Sequence, residues 1–213
     1  MKLIQVVRWL STLVVAVLSL ARPASAADIH VMISAGFYHV YAELGPAFEK
    51  ASGHHLITVR GPSMGDSPES IPTRLSRGEA ADVVILDGHG ADELVKRGVA
   101  RADGKTELAI SQIGMVVKEG AAKPDIGSSE AFKQAMLKAN SVGYTQGGAT
   151  GAYLKTLFEK LGIAEALKPK LKLLQGGVGE AVTNGEIEIG MTQISEILPH
   201  PGAELAGPLP SDI

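Results

Sequence analysis

The sequence contains no cysteine. That absence excludes disulfides, thiolate metal sites and the cysteine that would carry a lipoprotein anchor. Positive charge is not in excess either: 20 Lys and Arg stand against 23 Asp and Glu. Residues 1–26 hold three of those cations, Lys2, Arg8 and Arg22, and no acid, so the remainder carries 17 basic against 23 acidic residues, a formal charge of −6. Such a balance argues against a nucleic-acid partner. No apolar run is long enough to span a bilayer with comfort, which takes about 20 residues. Internal repeats, heptad arrays and low-complexity tracts are missing, and the six histidines show no metal-ligand spacing; no cofactor is expected.

What is present begins with an export signature. Lys2 and Arg8 give a positive start, Trp9 to Ala21 is apolar, and Ala24-Ser25-Ala26 has the small-x-small form that a signal peptidase cuts. Residues 1–26 are expected to be removed, leaving a soluble periplasmic chain from Ala27. The competing reading, a membrane anchor, is opposed by Arg22 and Pro23, which end the run early.

Beyond that point apolar strands alternate with amphipathic helices. Strands are predicted over 29–34, 56–60, 83–86, 108–117, 142–144, 171–174 and 187–191. Helices are predicted where Tyr41, Leu44 and Phe48 recur before Gly53, and over 71–77, 90–97, 129–139, 150–161 and 178–184. Strands separated by helices imply an α/β fold with mainly parallel sheets, whose ligands sit beyond the carboxyl ends of the strands.

The residues that follow each strand are therefore the candidate site. They are Ser34, Gly36 and Phe37; Arg60, Ser63 and Met64; Asp87; Thr145, Gly148 and Thr150; Val178; and Gln193. Small, hydroxyl-bearing and glycine residues dominate, which lets backbone N–H groups approach an anion closely. Thr145-Gln146-Gly147-Gly148-Ala149-Thr150-Gly151 is the clearest case, read either as an anion cradle or as an ordinary glycine-rich strand-to-helix turn. It lacks the terminal Lys-Ser/Thr of a P-loop, which disfavours nucleotide hydrolysis. Arg60 can clamp a carboxylate or face outward to Asp66 or Glu69. If the site moves protons, His39, Asp87 and Glu180 are candidate bases, though His39 is read more readily as a surface residue than as a base.

Three runs carry a family resemblance across the whole chain after residue 26. They are Val31 to Phe37 with Ala47-Phe48-Glu49-Lys50-Ala51-Ser52-Gly53; Arg77-Gly78-Glu79-Ala80-Ala81-Asp82-Val83-Val84-Ile85; and Gly185-Glu186-Ile187-Glu188-Ile189-Gly190. The chain resembles the periplasmic substrate-binding proteins of molybdate-type ABC transporters. That resemblance implies a two-lobed, type II periplasmic binding protein fold with mixed, mainly parallel sheets flanked by helices. It also implies a small anionic solute held in the interlobe cleft without metal and a permease in the inner membrane as partner. It divides the chain into 27–107 as lobe 1, 108–191 as lobe 2 and 192–213 as a return crossover toward lobe 1. Relatives continue past Gly207-Pro208-Leu209-Pro210, so the C-terminal part of the first lobe is expected to be missing, with apolar surface exposed.

Departures from the molybdate pattern matter. Gly36 stands where that family places a ligand serine, with Ser34 two residues earlier, and Gln193 replaces a late tyrosine. A molybdate-like oxyanion or a polycarboxylate is thus the expected solute. Gly61-Pro62-Ser63-Met64-Gly65 with Ile71-Pro72, and the run from Gly190 to Pro199, are also similar to the aconitate isomerase branch. That likeness implies the alternative activity, an allylic proton shift.

Overall fold

The computed structural model describes residues 26–213. The expected export segment lies, apart from Ala26, outside the described residues. Two sheets form the frame. The smaller contains β1 (Asp28–Ile33), β2 (His55–Arg60) and β3 (Val83–Ile85) in the order β2-β1-β3, all parallel. Val31, Met32 and Ile33 are all buried, as a central parallel strand covered on both faces requires. Crossovers pass through α1 (Ala35–Ser52) and α2 (Ile71–Ser76), and α3 (Gly88–Lys96) follows β3.

The larger sheet has the order β6-β5-β7-β4-β8, built from β4 (Ile113–Lys118), β5 (Val142–Thr145), β6 (Leu171–Leu174), β7 (Ile189–Gln193) and β8 (Ala203–Pro208). β5 is parallel to β6 and β7, while β4 is antiparallel to β7 and β8. The helices of this half are α4 (Ser129–Lys138), α5 (Gly148–Lys160), α6 (Ala164–Leu167), α7 (Val178–Thr183) and α8 (Ile194–Ile197). Phe132, Met136, Leu154, Phe158, Met115 and Met191 form its main core, with Tyr144 edge-on to Phe158. Val116, Val178, Val182 and Ile187 make a second core under α7 on the other face. The α/β class and the mixed, mainly parallel sheets agree with the reading from sequence.

One strand begins later than its periodicity predicted. Residues 108–112 are not in a strand, and Ile110 is 95% exposed. Alternation gave the apolar pattern, but strand structure needs a hydrogen-bonding neighbour, and β7 and β8 reach back only to Ile113 and Gly114. Along α1, Val40, Leu44 and Phe48 leave an apolar stripe exposed to solvent.

This topology fixes where a ligand can enter. In the small sheet the chain leaves β1 for β2 on one side and later places β3 on the other. The order reverses at the carboxyl end of β1, at Ser34. In the large sheet β6 and β7 flank β5 in the same way, so the second reversal falls at Thr145 to Gly151. Both points are switch points of the kind that open crevices in parallel sheets.

Candidate functional site

Contacts between the two halves place those switch points along one seam, the candidate binding crevice. The Ser195 hydroxyl donates to the Gly36 carbonyl at 2.6 Å. Gln193 lies so close over Gly36 that a Cβ there would sit 2.0 Å from its Oε1. A side chain at 36 would displace the Gln193 amide. Gln193 Oε1 also accepts from the Ser111 hydroxyl at the start of the larger half. On the facing side, a Cβ at Gly148 would lie 4.0 Å from Ser63 Oγ, and one at Gly147 would lie 3.9 Å from Pro62.

Each wall is shaped by local sequence. The loop after β2 folds back on itself: Gly61 N–H donates to Ile33 O at 3.1 Å, and Ile71 N–H donates to Pro62 O at 2.9 Å. Ser70 caps α2 and also donates to Gly65 O at 2.8 Å, so the proline-rich loop is rigidly tied. Ser63 is buried within it. Across the crevice α5 starts tightly over the end of β5, and Gly148 has φ +82°, a left-handed conformation that glycine adopts without strain. Neither Ser34 before α1 nor Gly147 before α5 caps its helix with a side chain. The first-turn N–H groups of both helices, and the Ser34 hydroxyl, are left for another acceptor.

Charge enters from two residues. Arg60, at the end of β2, lies with its guanidinium carbon 3.9 Å from the centre of the Tyr38 ring. Among the described residues it forms no ion pair within 4 Å, with Asp66, Glu69 or any other acid. Glu196, on α8, is half-buried, and burial pushes its carboxyl above the usual glutamate range. A hydrogen bond from Thr192 and the positive charge of Arg60 pull it the other way without cancelling the effect. Glu196 and Ser195 are the site residues that sequence reasoning missed. The available signal was the spacing Thr192 to Glu196, which puts a hydroxyl and a carboxyl together where β7 turns into α8.

The candidates from sequence separate into groups. Gly36, Ser63, Gly148 and Gln193 make or border the contacts across the crevice, and Arg60 acts on Glu196 from the end of β2. Ser34, Phe37, Met64 and Thr145 are half-buried at the strand and helix ends around them, and Thr150 is buried in the first turn of α5. The Val178 side chain packs in the core under α7, against Gly190. Asp87 is the N-cap of α3, its Oδ1 accepting from Gly90 N–H at 3.0 Å, while its Oδ2 is buried without a partner. His39 and Glu180 are exposed, and His39 meets only the edge of Tyr38 in a ring contact.

A hollow of about 340 Å³ lies away from this seam, between α4 and the start of β7. Its two carboxylates are already engaged, Asp125 by Gly127 N–H and Glu188 by Asn140 N–H. Two acids against one cation, Lys138, make it a poor place for an anion. Among the described residues there is no cluster of three His, Cys, Asp or Glu suited to a metal, and no helix long and apolar enough to cross a membrane.

Comparison with known proteins accords with this fold. The family model described as bacterial extracellular solute-binding protein matches residues 29–213. The chain is 40% identical over 182 residues to an aconitate isomerase from a Pseudomonas species, covering 84% of this chain and 69% of that protein. It is 28% identical over 195 residues to the molybdate-binding protein ModA of Azotobacter vinelandii, covering 88% and 74% of the two chains. The solved periplasmic molybdate-binding protein of Azotobacter vinelandii superposes with a TM-score of 0.63 at 17% identity, over 86% of this chain and 77% of that one, which speaks to the fold alone.

Proposed function

The chain belongs to the bacterial extracellular solute-binding proteins, and from that premise we propose that it is a periplasmic protein holding a small polycarboxylate between its two halves. The observation that carries this reading is Arg60, a guanidinium at the crevice with no carboxylate paired to it among the described residues. A planar guanidinium matches a carboxylate through two parallel N–H bonds. The uncapped starts of α1 and α5, with Ser34 and Ser63, supply neutral donors for a second carboxylate. Gly36 in place of a hydroxyl donor, and the Gln193 amide above it, favour a carboxylate over a compact tetrahedral oxyanion. The likeness to ModA supports delivery of the captured anion to an ABC permease.

A second reading adds chemistry to capture. It is favoured by the 40% identity to an aconitate isomerase and by Glu196, a carboxyl whose burial makes it a better base than an exposed glutamate. Calorimetric titration with trans-aconitate and, separately, with molybdate tests the shared premise. Saturable binding of aconitate is expected; binding of molybdate alone would reject the polycarboxylate. Proton NMR of the protein with trans-aconitate then divides the two readings, since conversion to the cis isomer occurs only under the second.

A further inference from the structure

The acids around the crevice differ in how they are used. Asp87 holds the first turn of α3 through Gly90, and Glu180 is exposed on α7. Glu79 is tied to Arg74 and Arg77. Asp87 and Glu79 are half-buried too, but each is tied within its own half; Glu196 is half-buried on α8, at the junction of the two halves. It follows Ser195, whose hydroxyl grips Gly36 O, on a helix packed against α1. Arg60 lies near enough to act on its charge but is not closed on it as an ion pair. An anion gripped by Arg60 would therefore lie within range of the Glu196 carboxyl.

We propose that Glu196 is the catalytic residue that moves the proton when an allylic tricarboxylate of the aconitate type is held by Arg60; this rests on the isomerase reading above. In the first step the Glu196 carboxylate takes a proton from the substrate's methylene carbon. The electron pair of that C–H bond becomes a new double bond to the central carbon, and the old double bond's pair moves toward the far carbon and its carboxylate. In the second step the Glu196 carboxylic acid returns the proton to the far carbon, and that pair forms the new C–H bond. Glu196 ends ionised as it began, and no oxidant, reductant or cofactor is consumed. The two ends of an allylic system lie within reach of the two oxygens of one carboxyl, so a single residue suffices. Arg60 and the helix N–H groups hold the charge that builds on the substrate carboxylates.

The same placement sets a pH dependence. Glu196 must be ionised to accept the proton, so kcat/KM falls as pH drops through its pKa. Burial sets that limb above the range of an exposed glutamate. Arg60 on β2 opposes this, and α1, packed on α8, carries Tyr38, His39, Tyr41 and Glu43 over residues 38–43, with the Tyr41 hydroxyl paired to Thr58. β4 and β8 also pack on α8; they carry Lys118 and Glu204, and Glu204 is engaged by Lys123.

The test compares wild type, Glu196→Gln and Glu196→Asp for aconitate conversion by proton NMR and for aconitate binding by calorimetry. Glu196→Gln is expected to bind as well as wild type or better and to lose turnover by about 100-fold or more. Glu196→Asp should keep a measurable fraction. Turnover by Glu196→Gln within about threefold of wild type overturns the proposal and leaves the isomerase reading standing, because general-base catalysis is worth far more than that. Wild type that binds aconitate without converting it overturns both of these and leaves polycarboxylate capture. If Glu196→Gln does not fold, the wild-type pH profile decides, and a kcat/KM flat across the acid range overturns the assignment.

Discussion

Gly151→Ala has an expected sign opposite to that of an ordinary helix substitution. Within a helix, alanine in place of glycine is favoured by roughly 1 kcal/mol. At position 151, however, a Cβ would sit 2.5 Å from the carbonyl oxygens of both Thr145 and Gln146. That is 0.5 Å inside the 3.0 Å that real Cβ atoms keep, and the obstructing atoms are backbone. They cannot rotate away as a side chain would. Overpacking of this kind costs about 1–3 kcal/mol, and contact with two main-chain oxygens belongs at the upper end. After the helix gain is subtracted, the net loss is about 1–2 kcal/mol. For a chain of this size that lowers Tm by about 2–8 °C. Circular dichroism is the suitable probe, because the single tryptophan, Trp9, precedes the described residues. The shift should come with weakened anion binding, since the displaced turn is one wall of the crevice. A Tm equal to or above wild type with unchanged affinity would refute the claim that α5 is seated on the end of β5.

Other substitutions test separate parts of the account. Arg60→Met removes a charge-assisted bond worth about 1.5–3 kcal/mol, so aconitate affinity should fall by about 10- to 150-fold in calorimetry. Because Arg60 is exposed, the melting temperature should stay within about 2 °C of wild type. Glu188→Ala strands the N–H and the side-chain amide of Asn140, both of which donate to it at 2.7 Å. The loss should be about 1 kcal/mol, a fall of about 2–4 °C in a thermal melt, with anion affinity unchanged. For Glu196 the folded pKa lies above the unfolded one, so the native state binds more protons as pH rises out of the ordinary glutamate range. Stability should therefore decline with rising pH through that window and level off above it, and Glu196→Gln should flatten the slope in urea titrations from about pH 4 to 8.

The frame of this protein was readable because its signals are local. The buried run Val31 to Ile33 and the strand over 171–174 stand out by apolarity and by the turn residues around them. Residues 108–112 misled because alternation is a statement about faces, whereas a strand also needs a partner edge. The candidate crevice follows from a rule of topology: both switch points fall on segments rich in glycine and hydroxyls. Glu196 was not. A carboxyl in the short segment Ile194 to Ile197, just ahead of Leu198 and Pro199, looks like any helix-surface acid until Thr192, Arg60 and the contact of α8 with α1 surround it. Asp87 sits where a ligand would be sought; its Oδ1 holds the first turn of α3, while its Oδ2 is buried without a partner.

The most direct measurement is an amide NMR titration of the isotopically labelled protein with trans-aconitate. Capture between the halves predicts the largest, saturable shifts at Gly36, Ser63, Gly148 and Gln193, from both walls at once. Shifts confined to Ala135, Lys138 and Ile189, around the hollow beside α4, would contradict it.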